Sequence, residues 1–576
     1  MNSIAISSKN ILIAYTRNVK EDYSEFLGHS IHFAVSTDSG KTVVPLNHKY
    51  GRLFPKCEFS DENGIISMGV TDIEIYRIKD EYIITAKEIR RTNHGNGAFS
   101  VNETGGFVRW TTKNFVAFSE PVVTNDRYTE IEEQKKDCAS TAFSFDAADY
   151  AESGVSVPVS EEIAAMLIKN NITVEFASTE LPKAVSVSRS EELEKVTAKI
   201  RYTDGSVHEK RVLWKTDGID FSGPGRYTVE GKIAVRHFDF PVEDHPWGDP
   251  IITYYRGNYY WIATNDADGD TSFEIREAKT PEALFDKNVR RKMILSAETS
   301  VYKSTFWAPE FHIVGGKMRI FCALTVGTGF DPQCYVMTLK DGGDMLDPDA
   351  WSVPERCVMP DGRNLCENPL GDGKNGITLD MTCFEAGGKS YVVWSYRTWA
   401  GTDSGSMLMI AENNPDKPWE MLTFPQLLKR PVYGWENNNG TDNNEGPFAL
   451  VTGEKVYLAY SGGDARGQSY VVGVLTANVG ENLCDVSNWE IPDAPWLASN
   501  FVAGEYGCGH NGFFTDEYGD VYITYHGVDA PLSSSIRPGI RRVHFAADGT
   551  PILHMSNEQD LPESERNVSI DVTIES

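Results

Sequence analysis

Four acidic side chains and one histidine recur in the second half of the chain, each at the start of its own strand-like segment. They are Asp249, Glu310, Asp380, Glu445 and His510. Hydrolysis of a glycosidic bond needs one carboxylic acid to protonate the leaving oxygen and one carboxylate to activate water or to attack directly. A third carboxylate near the acid keeps the pKa of that acid high by like-charge repulsion. Separated carboxylates that converge from several repeats therefore predict glycoside hydrolysis.

The elements that must bring these residues together are short strands. The five positions lie about 60 to 70 residues apart, and each leads into an alternating apolar and aromatic run such as Tyr259-Tyr260-Trp261. Alternation with a period of two is typical of β-strands. A radial repeat of short strands is a β-propeller, in which the innermost strand of each blade begins near the axis. The sequence predicts five blades whose leading polar residues face one funnel.

The predicted fold class is all-β, in four parts. Residues 1–150 are strand-rich, and Thr71–Tyr76 faintly resembles the strands after Asp249, although Asp72 has no matching acid and is not a catalytic candidate. Residues 151–238 predict a small β-sandwich with a short helix near Ser160 to Asn171, where Ser160 caps the first turn. Residues 239–553 are the predicted propeller. Residues 554–576 are expected to be a polar tail with a possible final strand at Val568 to Ile574.

Composition limits the partners. The chain of 576 residues has 54 basic and 83 acidic residues, a formal net charge of −29, which argues against binding to nucleic acid or to an anionic membrane surface. A neutral oligosaccharide fits better. Nine cysteines without metal-like spacing predict mostly reduced thiols, although Cys357 and Cys366 could bridge. With no secretion signal recognised in residues 1–20, we expect a cytoplasmic protein of unknown oligomeric state.

The ordered motifs resemble those of glycoside hydrolase family 43. The match runs from Gly248-Asp249-Pro250 through Trp307-Ala308-Pro309-Glu310 and Asp380 to Glu445-Gly446-Pro447 and Gly509-His510. It covers about half of the chain, and residues 199–231 resemble a bacterial immunoglobulin-like domain. The resemblance implies a five-bladed propeller and inverting hydrolysis of α-L-arabinofuranosides or β-D-xylosides. It implies Asp249 as general base, Asp380 as pKa modulator and Glu445 as general acid. Met381 replaces the proline that the family often has after the modulator.

Substrate contacts follow from the same resemblance. It implies roles in substrate binding for Trp307, whose ring offers a stacking surface, and for Glu310, with an ion pair as the alternative for Glu310. His510 corresponds to a histidine near the axis that holds water or calcium in some family members, so no cofactor is required but calcium near His510 is possible. His526 is expected to be structural. Arg541 or Arg542 resembles a late arginine of the family that reaches substrate hydroxyls.

Several readings of the function stay open at this stage. The favoured one is an exo-acting α-L-arabinofuranosidase on plant-derived oligosaccharides, with the Trp399–Thr402 and Tyr433–Asn444 loops walling one end of the funnel. A β-xylosidase or an arabinan-cleaving enzyme fits the same motifs. A propeller that binds carbohydrate without catalysis is the alternative from another class, and the presence of all three acids disfavours it.

Overall fold

The structure is a computed structural model that describes residues 8–17, 25–95, 98–127, 140–143, 151–171, 173–437, 441–499 and 501–575. Strands dominate every part of it, as the alternating sequence predicts. Short helical segments connect them: α-helices at Glu25–Gly28, Glu161–Asn170 and Ser190–Leu193, and 3-10 turns at Asn47–Lys49, Glu282–Phe285, Pro348–Ala350, Val486–Asn488 and Glu563–Glu565. No helix in these ranges is long and apolar enough to cross a membrane.

Five antiparallel sheets, here called blades 1 to 5, form the second half of the chain. Each is a meander in which consecutive strands pair. Blade 1 contains Trp247–Tyr255, Asn258–Asn265, Ser272–Ala278 and Arg290–Ser296; blade 2 contains Tyr302–Val314, Lys317–Val326, Gln333–Thr338 and Glu355–Arg356; blade 3 contains Ile377–Ala386, Lys389–Arg397, Met407–Glu412 and Gln426–Lys429; blade 4 contains Asn444–Val451, Lys455–Gly462 and Val471–Asn478; blade 5 contains Tyr506–Thr515, Val521–Val528 and Arg537–Arg542.

The blades close into a ring. The first strand of each blade packs against the first strand of the next, and the first strand of blade 5 packs against that of blade 1. Buried aliphatic and aromatic side chains fill the spaces between neighbouring blades, for example Phe448 between blade 4 and the core of blades 1 and 2. The five sheets thus form a closed ring, and the all-β, propeller-type fold predicted from sequence is confirmed.

A β-bulge interrupts the first strand of every blade at the same place. The pairing register shifts there, and the residue at the bulge has a left-handed φ. The five residues are Asp249 (φ 53°), Ala308 (42°), Asp380 (51°), Gly446 (55°) and His510 (45°). Because a bulge turns a side chain away from the regular alternation, it redirects residues toward the axis. These bulges explain why polar residues occur in otherwise apolar inner strands.

The N-terminal part consists of two sheets around one core. The first contains Thr141–Ala142, Ala151–Pro158, Ile11–Arg17, His32–Ser36 and Val44–Pro45 in that order; the second contains Met68–Ile78, Glu81–Gly95, Ala98–Thr112 and Val122–Thr124. A small hairpin joins them, formed by Glu58–Ser60 and Gly64–Ile66. The first strand of the second sheet has the same kind of β-bulge as the blades, because Asp72 has a left-handed φ of 51° and lies at a shift in pairing register. Asp72 pairs with Arg127, in keeping with a structural role.

The helix that the sequence predicts near Ser160 is present, and the Ser160 side chain accepts a hydrogen bond from the Ile163 amide at 3.2 Å. It packs through Ala164 and Leu167 on the core of the N-terminal part. The strand Ala151–Pro158 also belongs to that part. The sequence predicted that this helix and this strand belong to the small sandwich. They belong to the N-terminal part instead, because the apolar face of the helix packs on the core of that part.

The small sandwich contains a six-stranded sheet in the order Phe176–Glu180, Thr197–Tyr202, Val207–Trp214, Gly225–Ile233, Asn567–Ile574 and Ala184–Val187. Residues 554–576 are therefore not a separate tail. Their strand pairs along its length with Gly225–Ile233 and in parallel with Ala184–Val187. The reason is its alternation, which buries Ile570, Val572 and Ile574. A further pair of short strands, His544–Phe545 and Pro551–Ile552, precedes this segment.

Candidate active site

A cavity of about 140 Å³ opens where the inner strands of the blades converge. Asp249 of blade 1, Asp380 of blade 3, Glu445 of blade 4 and His510 of blade 5 all line it. The remaining lining residues are Gly248, Thr264, Asp266, Trp307, Leu379, Ala465, Arg466, His526 and Ile536. A larger cavity of about 410 Å³ lies between the N-terminal part and the propeller, but no carboxylate lines it. The three predicted acids thus meet in one place.

Asp249 is held as an anion by several partners. Its Oδ1 lies 3.0 Å from His510 Nδ1, and Thr264 Oγ1 donates to its Oδ2 at 2.5 Å. Burial by itself would raise the pKa of Asp249, but the charge and hydrogen bond of His510 outweigh burial and hold that pKa well below its usual 3.8. The Asp249 amide donates to His526 Nδ1 at 3.2 Å, and His526 Nε2 faces the Ala465 carbonyl at 3.0 Å. This carboxylate is therefore fixed and ionised at neutral pH.

Glu445 has the opposite state. Burial, followed by the charge of Asp380, raises the pKa of Glu445 from 4.5 to about 7. Tyr470 contacts the same carboxyl, since its hydroxyl donates to Glu445 Oε1 at 2.9 Å. Burial also raises the pKa of Asp380, whose Oδ2 accepts hydrogen bonds from Ser395 Oγ at 3.1 Å and from the Gly446 amide at 3.3 Å. Because the negative charge of Asp380 disfavours ionisation of the neighbouring Glu445, Glu445 retains a proton near neutral pH.

His510 is a cation in this cluster. Burial would lower its pKa, but the carboxylates of Asp249 and Asp380 raise it to about 10. Its amide donates to Ser461 Oγ at 2.7 Å, and its Nε2 has no hydrogen-bond partner within the described ranges. Among those residues, no group of three or more His, Cys, Asp or Glu side chains is arranged to hold a metal ion. Ca²⁺ prefers oxygen ligands, and calcium near His510 stays a prediction.

Two further predicted substrate residues lie on blade 2 and have different surroundings. Trp307 lines the cavity, and its Nε1 donates to Asp270 Oδ2 at 2.8 Å. Glu310 does not line the cavity; it is 2% exposed, and its Oε2 lies 2.7 Å from His312 Nε2. The bulge explains the difference, because Glu310 follows the left-handed residue by two positions and points into the core instead. Glu310 therefore contacts His312 in the core and does not reach the cavity.

The two predicted arginines are buried away from the cavity. Arg541 donates to the Tyr525 hydroxyl at 2.8 Å and to the Leu553 carbonyl at 3.0 Å. Arg542 donates to Asp560 Oδ2 at 2.6 Å and to the Tyr202 hydroxyl at 3.0 Å, which ties blade 5 to the small sandwich. Both lie on the last strand of the blade, far from its bulge, so neither contacts the cavity.

Other residues in the site were missed from sequence. Arg466, paired with Asp266, supplies the arginine of the cavity, while Thr264 and Tyr470 bind the carboxyls of the base and acid candidates. His526, expected to be only structural, lines the cavity and stacks on Tyr470 with ring centroids 5.3 Å apart. Thr264 lies at the end of the second strand of its blade, at the same edge as the bulge. That position was the available signal.

The geometry provides a base and an acid around one small space. An ionised Asp249 can accept a proton from water, and a protonated Glu445 can donate one to a leaving group. The Trp307 ring offers an apolar surface beside them. Uncharged molecules with many hydroxyl groups match such a site.

Comparison with known proteins gives the same picture. The family described as glycosyl hydrolases family 43 matches residues 238–551, and the group 4 bacterial Ig-like domain matches residues 194–235. An extracellular exo-α-(1→5)-L-arabinofuranosidase from Streptomyces avermitilis is 26% identical over 313 residues, 53% of this chain and 60% of that protein. The enzyme of the same name from Streptomyces chartreusis is 27% identical over 359 residues, 60% of this chain and 95% of that protein.

The extent of these matches differs among relatives. The chain spans about 60% of the length of the Streptomyces avermitilis relative and of an α-L-arabinofuranosidase B from Pyricularia oryzae. Among solved structures, an α-L-arabinofuranosidase from Lactobacillus brevis aligns with 55% of this chain and 95% of its own, at 26% identity and a TM-score of 0.47.

The expectation of a cytoplasmic protein is wrong. The two Streptomyces relatives are named extracellular enzymes, which points to a secreted protein. The eight described cysteines are unpaired, and Cys138 lies outside the described residues. Unpaired thiols are compatible with a secreted protein because burial keeps them unreactive; it raises the pKa of Cys57 and of Cys383 to about 12, for example.

Proposed function

Because the chain belongs to glycosyl hydrolases family 43, we propose that it is an inverting, exo-acting α-L-arabinofuranosidase that removes terminal arabinose from plant-derived oligosaccharides. One observation carries the proposal: Asp249 and Glu445 share a cavity, and their surroundings push their pKa values in opposite directions. Acid and base roles on a single glycosidic bond require that difference. The names of the relatives support arabinose as the sugar.

The reaction follows from the residue states. Asp249 takes a proton from a water molecule, whose oxygen forms a bond to the anomeric carbon as the bond from that carbon to the leaving oxygen breaks. Glu445 gives its proton to the leaving oxygen, and the product sugar has the inverted configuration. The negative charge of Asp380 raises the pKa of Glu445, so Glu445 remains protonated until it donates to the leaving oxygen. His510 and Thr264 orient the base, Asp249. The two carboxyls return to their starting states by exchanging one proton through solvent.

The test compares the wild type with Glu445→Gln on methyl and nitrophenyl α-L-arabinofuranosides and on nitrophenyl β-D-xyloside. We expect arabinoside hydrolysis that falls strongly in the variant, more so for the methyl glycoside because methanol is a poor leaving group and depends on the acid. Proton NMR of the first product should show the inverted anomer. Faster turnover of the xyloside would overturn arabinose specificity, and equal low turnover in both proteins would overturn the enzyme assignment.

A further inference from the structure

A row of aromatic side chains leads from the cavity to the surface. Trp307 in the cavity lies with its ring centroid 5.8 Å from that of Phe330, and Phe330 lies 6.2 Å from Trp399. Phe330 is 58% exposed and Trp399 is 47% exposed. Large aromatic side chains are usually covered by other protein groups, so two open rings continuous with a cavity mark a binding surface.

The row ends on the side of the acid. The Arg397 guanidinium lies over the Trp399 ring at 5.1 Å and donates to Asp403 Oδ1 at 2.9 Å. The loop that carries Trp399 and Asp403 runs on to Ser406, whose amide donates to the Asp442 carbonyl and whose carbonyl accepts from the Asn444 amide, both at 3.0 Å, directly before Glu445. Because Glu445 delivers its proton to the leaving oxygen, the group attached to that oxygen extends toward this side.

The N-terminal part holds the loop that carries Trp399. Thr402 Oγ1 donates to the Glu62 carbonyl at 2.8 Å, next to the hairpin of Glu58–Ser60 and Gly64–Ile66. The fit at Gly64 is tight: a Cβ there would lie 2.7 Å from the Asp403 carbonyl oxygen. No side chain other than hydrogen fits between the hairpin and the loop at this point.

The same hairpin region also contacts residues 430–433, at the start of the second loop. The Cys57 amide donates to the Val432 carbonyl at 2.6 Å, and Lys56 forms an isolated β-bridge with Tyr433. The Arg430 guanidinium lies 3.9 Å from the centroid of the Phe59 ring. Segment 56–66 therefore contacts the loop that carries Trp399 and also the residues at the start of the second loop.

We propose that Phe330 and Trp399 form a subsite for the sugar ring next to the cleaved bond on the leaving-group side, and that the 58–66 hairpin holds this subsite in place. The ligand is the penultimate pentose of a neutral oligosaccharide, whose C–H face stacks on the exposed rings. The N-terminal part is then a specificity element of the propeller. This inference rests on the proposed function, because it requires hydrolysis at Glu445.

The first experiment tests the rings with two substrates. Methyl α-L-arabinofuranoside has no sugar beyond the bond, whereas α-1,5-linked arabinotriose fills the subsite. Trp399→Ala should reduce the ratio of kcat/KM for the trisaccharide to that for the methyl glycoside by about threefold to tenfold, the usual value of an aromatic contact. Phe330→Ala should act in the same direction. An unchanged ratio in both variants overturns the subsite.

The second experiment tests the hairpin with matched glycines. Gly64→Ala and Gly105→Ala impose the same left-handed strain, at φ +68° and +81°, but a Cβ at Gly105 meets no atom within 4 Å. We expect only Gly64→Ala to lower the substrate ratio. Thr402→Val removes the hydrogen bond to the Glu62 carbonyl without a steric clash, so it should lower the substrate ratio by a smaller factor. This variant tests the hairpin if the Gly64→Ala protein does not fold.

The outcomes separate the two proposals. A wild type that hydrolyses both glycosides, with a ratio unaffected by Gly64→Ala and Thr402→Val, overturns the role of the hairpin and leaves the function standing. A wild type that hydrolyses neither glycoside overturns the function and the subsite with it.

Discussion

Replacing Asp380 by asparagine isolates its charge from its geometry. Asparagine keeps the shape, and its carbonyl oxygen can accept the hydrogen bonds that Asp380 Oδ2 receives from Ser395 and from the Gly446 amide. What is lost is the negative charge beside Glu445, the second cause, after burial, of its raised pKa. Since Glu445 must be protonated to act as the acid, its pKa sets the alkaline limb of kcat/KM.

The magnitude is bounded by the two limits of that pKa. With a pKa of about 7, about half of the Glu445 carboxyls are protonated at pH 7. At the unperturbed 4.5 the protonated fraction at pH 7 would be roughly one in three hundred, and at pH 5 it would still be about one quarter. Burial remains in the variant, so we expect an alkaline limb between these limits. The loss of activity should be below about 150-fold at pH 7 and below about fourfold at pH 5.

The assay is kcat/KM for methyl α-L-arabinofuranoside from pH 4 to pH 9 in both proteins. Glu385→Gln is the matched control, because it removes an exposed carboxylate from the same strand and should leave the profile in place. A loss that is equal at every pH, with the alkaline limb still near 7, would refute the role of Asp380 as modulator and leave it an orienting residue.

Three further changes test neighbouring features. Tyr470→Phe removes a hydrogen bond that lowers the pKa of Glu445, so the alkaline limb of kcat/KM should move up, opposite to the change above. Thr264→Val removes a hydrogen bond to the candidate base and should lower kcat by roughly tenfold to hundredfold, measured at the pH optimum; an unaltered kcat contradicts its positioning role. Arg542→Met leaves Asp560 buried without its partner and should lower the free energy of unfolding by about 3–5 kcal/mol in urea denaturation, whereas a loss below about 1 kcal/mol would show that the pair adds little.

Much of the propeller and of its acids could be predicted from sequence. Strands are encoded locally by alternation, and the repeat distance gives the number of blades. Asp249 and Asp380 lie at the bulges of their blades and Glu445 lies one residue before its own, so their motifs recur at nearly the same place in each repeat. The protonation of His510 was not predictable from sequence, since it depends on two carboxylates from other blades.

The errors share one cause. The family resemblance implied substrate contact for Glu310 and for Arg541 or Arg542, but a strand sends alternate residues to opposite faces and a bulge resets that alternation. Glu310 lies two residues after the bulge of blade 2 and points into the core, and Arg541 and Arg542 lie on the last strand of blade 5, away from the cavity. Arg466, which does reach the cavity, lies in a connection without periodicity.

The sequence by itself determined that this protein is all-β, that five repeats each present a polar residue, and that four of these residues are acids, three of which could share one reaction. Only the tertiary structure decided which of them meet, which one keeps its proton, and that the last strand returns to the sandwich more than 300 residues from its partner Gly225–Ile233. The physical reason is the distance along the chain over which each interaction acts. Alternation and turns act between neighbouring residues, whereas strand pairing across the chain, burial and the coupling of charges arise only when distant segments are packed together.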